Sequence, residues 1–396
     1  MSKRTVEDIE VSGKRVLLRV DFNVPLDITT GAVGDDSRIR ASLLTIKYLV
    51  GHGARVTMCS HLGRPKGKVV ESLRMAPVAE RLSELMGRPV GTVRDCIGDE
   101  VEAGVRALKE GEMLMLDNLR FHQEEEANEP GFAAKLAGSA DVFVNDAFGT
   151  AHRAHASTQG VARLLPSVAG FLMARELEVL GRLLHDPERP FACLMGGAKV
   201  GDKIGLLRTM LTRVDVVLVG GGMAATFLKA QGLEIGLSLI EEDRLSLAGE
   251  LLREAETRQV SLRLPVDAVV ARDIKAGVQT RVVPVTEVPS DSRIVDIGPQ
   301  TIELFRSKLA ECRTIMWNGP MGIYEIPEFA QGTRSLVSFL ATTEANTVIG
   351  GGSSAEVVHD MGLADRMTHV STGGGASLRF LEGAALPGVD ALLDKQ

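Results

Sequence analysis

The sequence predicts two doubly wound α/β domains, each built on a parallel, Rossmann-like sheet and joined by a hinge helix. Three observations predict this. Apolar runs of strand length alternate with helix-period segments from end to end. Most of those runs are continuously apolar rather than alternating, as strands covered by helices on both faces must be. At 396 residues the chain is also too long for one compact core.

Strands are expected at Arg15–Phe22, Arg55–Ser60, Glu112–Leu119 and Asp141–Ala147 in the first half. In the second half they are expected at Pro190–Gly196, Val214–Gly220, Asp267–Ala271, Arg293–Ile297, Thr314–Asn318, Asn346–Gly350 and His369–Thr372. Between them, segments such as Ser37–Val50, Met75–Met86 and Arg244–Thr257 repeat apolar residues at three and four, the helical period. Strand, helix, strand in this order reads as a doubly wound fold. The join is expected to be one helix over Ser167–His185. It follows Pro166, carries Leu172, Met173, Leu177, Leu180, Leu183 and Leu184 on a helical period, and is stopped by Asp186-Pro187. Residues 1–166 then form one domain and 186–377 the other. No repeat or long linker interrupts them.

Composition narrows the function classes. Hydrophobic content of 44% and charged content of 24% are those of an ordinary soluble protein. No apolar stretch reaches membrane-spanning length and the opening MSKRTVEDIEV lacks a signal-peptide core, so a cytoplasmic protein without a membrane partner is expected. A net charge of −7 argues against nucleic acid as a partner. Cys59, Cys96, Cys193 and Cys312 are far apart and form no CxxC, so reduced, buried thiols are expected rather than a zinc cluster.

In open parallel sheets, ligands bind beyond the carboxyl ends of the strands. In the first half those positions carry cations. Asp21, Asn23 and then Arg38 follow the first strand; His61 and Arg64 follow the second; Arg120 and His122 the third; His152, Arg153 and His155 the fourth. One such arginine would be an ordinary solvated residue. Four on one sheet edge imply a small, highly anionic ligand, because guanidinium matches carboxylate and phosphate oxygens in pairs. No carboxylate or cysteine stands at ligand spacing from these histidines, so a metal is not expected there.

The second half has glycine in the equivalent places: Gly196-Gly197, Gly220-Gly221-Gly222, Gly350-Gly351-Gly352 and Gly373-Gly374-Gly375, each before a helical segment. Glycine lets the backbone approach a ligand, and helix N-termini offer free N–H groups, so a polyphosphate cradle is implied. Lys199 and Lys203 stand four apart in the first of these loops, on one face if the helix begins there. Only 13 of the 45 basic residues are lysine, so two in this loop are informative. A Walker A pattern is absent. Two GxGxx(G/A) matches, Gly220–Ala225 and Gly350–Ala355, raise a dinucleotide oxidoreductase, but neither is followed by the acidic residue that would hold a ribose.

Read together, the motifs resemble phosphoglycerate kinase over essentially the whole chain. They run RVDFNVP (Arg19–Pro25), SHLGRP (Ser60–Pro65), LDNLRFHQEEE (Leu116–Glu126), NDAFGTAHRAHAS (Asn145–Ser157), GGAKVGDKI (Gly196–Ile204), DIGPQT (Asp296–Thr301), WNGPMGIYE (Trp317–Glu325) and STGGGAS (Ser371–Ser377). The resemblance implies a monomeric glycolytic enzyme that moves the acyl phosphate of 1,3-bisphosphoglycerate to ADP, giving 3-phosphoglycerate and ATP, with Mg2+ on the nucleotide. It implies a phosphoglycerate site at Asp21, Asn23, Arg38, His61, Arg64, Arg120 and Arg153. Phosphate-handling lysines fall at Lys199 and Lys203, and nucleotide contacts at Gly220, Gly221, Asn318, Glu325, Gly351, Gly352, Ser353 and Ser354. The tail, from about 378 to 396, is expected to return to the first domain.

One position departs. Where the family usually has a magnesium-binding Asp after the third glycine, this chain has Ser353, a weak neutral ligand, leaving Asp202 as the possible support. For the chemistry, the resemblance implies direct in-line transfer after domain closure. Arg38, Lys199 and Lys203 would face the moving phosphoryl group with N–H groups at Gly351, Gly352, Gly373 and Gly374. Arg64, Arg120, Arg153 and His61 would hold the stationary phosphate. A phosphohistidine route through His61 or His152 is the competing chemistry, and a non-catalytic binding protein the competing class.

Overall fold

The computed structural model describes residues 3–395. These residues divide into two compact units, one running to Glu178 and taking in the chain from Ala384 onward, the other Val179–Gly383. The first holds six parallel strands: β1 (Arg15–Arg19), β2 (Arg55–Cys59), β3 (Val90–Thr92), β4 (Met113–Met115), β5 (Val142–Asn145) and β6 (Ser167–Ala169), in the order β3-β4-β2-β1-β5-β6. β1 and β2 pair in register from Arg15 against Arg55 to Arg19 against Cys59. The chain winds one way from β1 and the other way from β5, so the sheet reverses between these neighbours and a crevice opens beyond their carboxyl ends.

The second unit repeats the plan with β7 (Phe191–Met195), β8 (Val216–Val219), β9 (Ser261–Arg263), β13 (Thr314–Asn318), β14 (Asn346–Gly350) and β15 (His369–Val370), ordered β15-β14-β13-β7-β8-β9. Its reversal lies between β13 and β7, which pair from Thr314 against Phe191 to Asn318 against Met195. The doubly wound reading holds in both units. It needs one amendment: β10 (Asp267–Ala271) and β12 (Arg293–Ile297) leave the parallel sheet and, with β11 (Thr280–Pro284), make a separate antiparallel one. The core of the first unit surrounds Val16, Leu18, Val56 and Val144; that of the second surrounds Leu194, Trp317 and Phe305.

The joining helix differs from expectation at its start. It runs Phe171–His185, while Ser167–Ala169 pairs with Phe143–Asn145 as strand β6. The backbone needs of the β5 edge outweigh the local helical pattern there, since an unpaired strand edge buried under a helix would leave polar groups unsatisfied. The helix start is held by buried Asp146, whose Oδ1 accepts from Leu172 N at 2.9 Å and Met173 N at 3.2 Å. Gly170 precedes it, and a Cβ there would lie 2.1 Å from that oxygen. The division between units falls inside this helix, after Glu178, and the returning tail joins the first unit from Ala384. The helix Gly375–Leu381 belongs to the second unit. No helix among the described residues is long and apolar enough to cross a membrane.

Candidate active site

In the first unit the loops after β1, β2, β4 and β5 bring the cationic positions together around His61. This imidazole is 5% exposed, and Arg19 donates to its Nδ1 from Nη2 at 3.2 Å. Burial first, and then the charges of Arg19, Arg120, Arg153 and Arg38, hold its pKa well below the ordinary histidine value. Those four guanidinium groups therefore converge on one neutral imidazole. His155, in the same neighbourhood, is pushed down to about 4 by burial and by Arg120, Arg153 and Arg19.

The acids in the cluster are few and mostly occupied. Asp21 pairs with Arg38 through Oδ2, while its buried Oδ1 has no hydrogen-bond partner and lies 3.8 Å from His61 Nδ1. Glu125 is buried beneath, where burial raises its pKa and Arg19 opposes that; it accepts from Ser157 N at 2.9 Å and Ser157 Oγ at 2.5 Å. Asn23 Oδ1 accepts from Gly63 N at 2.8 Å, and Arg120 donates to Gly63 O at 2.8 Å, so these two residues hold the turn that carries exposed Arg64. Arg153, half-buried, donates to His152 Nε2 at 3.2 Å. Arg19 was not among the candidates. Its signal was a charge at the carboxyl end of the apolar strand Arg15–Arg19, and it is only 1% exposed.

In the second unit the site is built at the sheet reversal. Lys203 turns back over the sheet, and its Nζ donates to Gly196 O at 2.6 Å and Asn318 O at 2.9 Å, the ends of the two strands flanking the reversal. Burial pulls its pKa down to about 8. Gly319 (φ +96°) lies so close that a Cβ would sit 2.2 Å from Nζ. Gly221 (φ +65°) caps the path of the backbone at Gly197, with 2.6 Å between its would-be Cβ and Gly197 N. Asn318 Nδ2 is buried without a partner and faces Gly351, the residue before the helix Gly352–Asp360. Three of the four glycine runs thus meet around Lys203 and Asn318. The fourth precedes the helix Gly375–Leu381, which packs beside Ile204–Leu211.

Two expectations change here. Helical structure begins at Gly201, after Lys199, so the two lysines do not share a helix face: Lys203 turns inward and Lys199 is exposed. Ser354 is fully buried, and its Oγ accepts from Gly319 N at 2.6 Å, so it braces the glycine turn from inside. Ser353 and Asp202 are both exposed. Ser353 lines a cavity of about 370 Å³ together with Gly197, Gly221, Leu228, Tyr324 and Glu325. Tyr324 donates to Glu356 at 2.8 Å beside it. Among the described residues, no group of three acid, histidine or cysteine ligands forms in this unit.

The comparisons with known proteins can be set against this geometry. The family model described as phosphoglycerate kinase matches residues 6–384. The phosphoglycerate kinases of Pelotomaculum thermopropionicum and Moorella thermoacetica are each 56% identical over 395 residues, with the whole of both chains covered. Among solved structures, phosphoglycerate kinase from Coxiella burnetii matches with a TM-score of 0.88 at 40% identity, covering 98% of each chain. That from Pyrococcus horikoshii OT3 matches at 0.86 and 35% identity, again over 98% of each. The chain belongs to the phosphoglycerate kinase family.

The family's glycolytic reaction, a phosphoryl transfer between an acyl phosphate and a nucleotide, is the chemistry the two halves suit. A phosphoglycerate kinase handles small-molecule substrates, and the first unit offers a guanidinium cluster suited to an anion. It is a nucleotide-using kinase, and the second unit offers an apolar cavity leading to a lysine and helix N-termini. The dehydrogenase reading lapses with the family. The phosphohistidine reading, through His61 or His152, lapses with it, because the family's reaction passes the phosphoryl group between acyl phosphate and nucleotide.

Proposed function

We propose that the arginine cluster of the first unit holds 3-phosphoglycerate or 1,3-bisphosphoglycerate, and that the second unit holds ADP or ATP in the cavity ending at Lys203. Convergence of Arg19, Arg38, Arg120 and Arg153 on neutral His61 is the observation that carries this reading. Arg64, Arg120 and Arg153 with His61 take the stationary phosphate as bidentate and single donors. Asp21 Oδ1, buried and without a partner, accepts from the substrate hydroxyl. Arg38, Lys203 and Lys199 face the transferring group, with N–H groups near Gly351, Gly352, Gly373 and Gly374 taking its oxygens. Gly220, Gly221, Asn318 and Glu325 border the nucleotide.

No protein nucleophile or general base is required. In one direction the acceptor is a nucleotide phosphate oxygen, and in the other a carboxylate that is already ionised. Catalysis then consists of positioning and charge neutralisation in a site from which water is excluded. Mg2+ would supply further neutralisation between the nucleotide phosphates. The donor set here fits an ion carried mainly by phosphates and water, with Ser353 Oγ, and Asp202 as a second candidate, as the protein oxygens.

Acid and nucleotide sit on different units, so transfer requires closure about the helix Phe171–His185, which would also keep water from the acyl phosphate. Small-angle scattering with both substrates present should show compaction; an unchanged radius of gyration would count against closure. We assign the chain to the cytoplasm as a monomer without a nucleic-acid partner. The deciding assay is ATP-dependent phosphorylation of 3-phosphoglycerate, coupled to NADH oxidation, across a magnesium titration. Turnover establishes the activity. Binding of both ligands without turnover at any magnesium would leave a protein that kept its pockets and lost the transfer step.

A further inference from the structure

We propose that Asp95, Cys96 and His122 form a binding site for one zinc-class dication (Zn2+, Co2+ or Cd2+), separate from the nucleotide's magnesium. The three residues come from two segments far apart in the chain. Asp95 and Cys96 lie in the turn between β3 and the helix Asp99–Ala107; His122 ends the turn Leu119–Phe121. The segments are tied by Asp117 N donating to Asp95 O at 3.2 Å and by Arg74, which reaches Arg94 O at 3.3 Å and pairs with Asp117. As a result the carboxylate oxygen, the thiol sulfur and the imidazole nitrogen lie within 4.8 Å of one another.

The geometry is close to what such an ion needs. Bonds of 2.0–2.3 Å to nitrogen, oxygen and sulfur place tetrahedral ligand atoms roughly 3.3–3.8 Å apart. His122 Nε2 and Asp95 Oδ1 are now in hydrogen-bond contact at 2.7 Å, and the Asp95 side chain is 47% exposed, so a small swing of its carboxylate admits the ion. The imidazole is held in place by the ring of Phe132, centroids 5.2 Å apart. His122 also borders a solvent-filled cavity lined by Gly67, Phe121, Gln123, Glu124 and Glu129.

The charges agree. Cys96 is 1% exposed, with the Asp95 carboxylate beside it. That carboxylate favours a dication, and the dication in turn stabilises the thiolate. Binding forms the metal–sulfur bond and releases the thiol proton to solvent. With one thiolate, one carboxylate and a neutral imidazole, the ion's two charges are balanced. Magnesium, which takes oxygen ligands in octahedral array, does not suit a sulfur and nitrogen donor.

The test is a Co2+ titration of the full-length protein in excess Mg2+ and without nucleotide, followed by absorption. One equivalent should produce thiolate-to-cobalt charge-transfer absorption in the near ultraviolet and tetrahedral ligand-field bands, displaced by Zn2+ and unaffected by further Mg2+. Cys96→Ser should lose the charge-transfer absorption. Should that variant fail to fold, Asp95→Asn and His122→Gln, on the solvent side of the site, should each weaken Co2+ binding at least tenfold. Absence of the charge-transfer absorption in the parent protein, its survival in Cys96→Ser, or unchanged affinity in both solvent-side variants would overturn the assignment.

Discussion

Arg19 donates from Nη2 to Nδ1 of His61 across 3.2 Å, deep under the arginine cluster. A guanidinium can only donate, so Nδ1 must be the accepting nitrogen and Nε2 must carry the proton. His61 is thereby held neutral, with its N–H at Nε2. The expected outcome is that its ring keeps the Nε2–H tautomer throughout pH 6 to 8 in nitrogen NMR, with no titration step. Since its native pKa lies well below 6.5, the unfolded chain binds a proton that the native one refuses. Stability from this group is therefore lost as pH falls below about 6.5. His61→Gln, which keeps a donor, should flatten that acid limb; an unchanged limb would refute the assignment.

Lys203 should impose a pH limit on transfer. Its pKa is about 8, so the charge that would neutralise the moving phosphoryl group is lost from the free enzyme as pH rises through that value. kcat/KM is expected to fall on the alkaline side with an apparent pKa near 8. Lys203→Met should lower kcat by roughly 10²–10³-fold, the usual cost of one preorganised electrostatic group. Lys203→Arg should not restore it, because Gly196 and Gly319 leave no room for a planar fork. Steady-state profiles of the three proteins check this.

Ser353 is expected to set the magnesium requirement. It is exposed at the first turn of the helix Gly352–Asp360 and offers a neutral oxygen. Ser353→Asp should lower the magnesium concentration for half-maximal ADP binding by roughly tenfold, or 1.4 kcal/mol. Calorimetric titration reads this independently of turnover. Unchanged magnesium affinity would mean the ion does not approach this residue.

Asp146 couples the joining helix to pH. Burial pushes its carboxyl up to about 6 while Oδ1 holds the N–H groups of Leu172 and Met173. Because the native pKa is raised above 3.8, its contribution is fully present below about pH 4 and is lost as pH rises through 6. Asp146→Asn keeps the acceptor without the charge, so it should remove this pH dependence and melt no lower than the parent at pH 7. Asp146→Ala should destabilise by about 1–2 kcal/mol, the cost of a lost helix cap. Calorimetric melting across pH 4 to 8 distinguishes them.

Much of the fold was legible because buried parallel strands must be apolar on both faces. All eleven expected strands occur, four with the expected bounds and seven shortened by one to five residues where the chain turns. The four that were missed, Val90–Thr92, Ser167–Ala169, Ser261–Arg263 and Thr280–Pro284, are all edge strands. An edge strand needs one neighbour and little burial, so three of them are mostly half-exposed or exposed and carry no apolar run. The departure of Asp267–Ala271 and Arg293–Ile297 into an antiparallel sheet was equally invisible, since strand propensity does not encode a partner.

At the site, the sequence by itself determined the donors: four arginines beyond the first sheet, glycines and lysines beyond the second, and Ser353 where a carboxylate was expected. These follow from chemistry, because phosphate recognition demands such groups wherever strands end. The tertiary structure alone decided which of them act as a unit. It placed Arg19 beneath His61, turned Lys203 inward and Lys199 outward, buried Ser354 behind Gly319, and joined Cys96 to His122 across distant segments. The physical reason is that burial and proximity, which set protonation and pairing, arise from contacts between strands that local sequence patterns do not record.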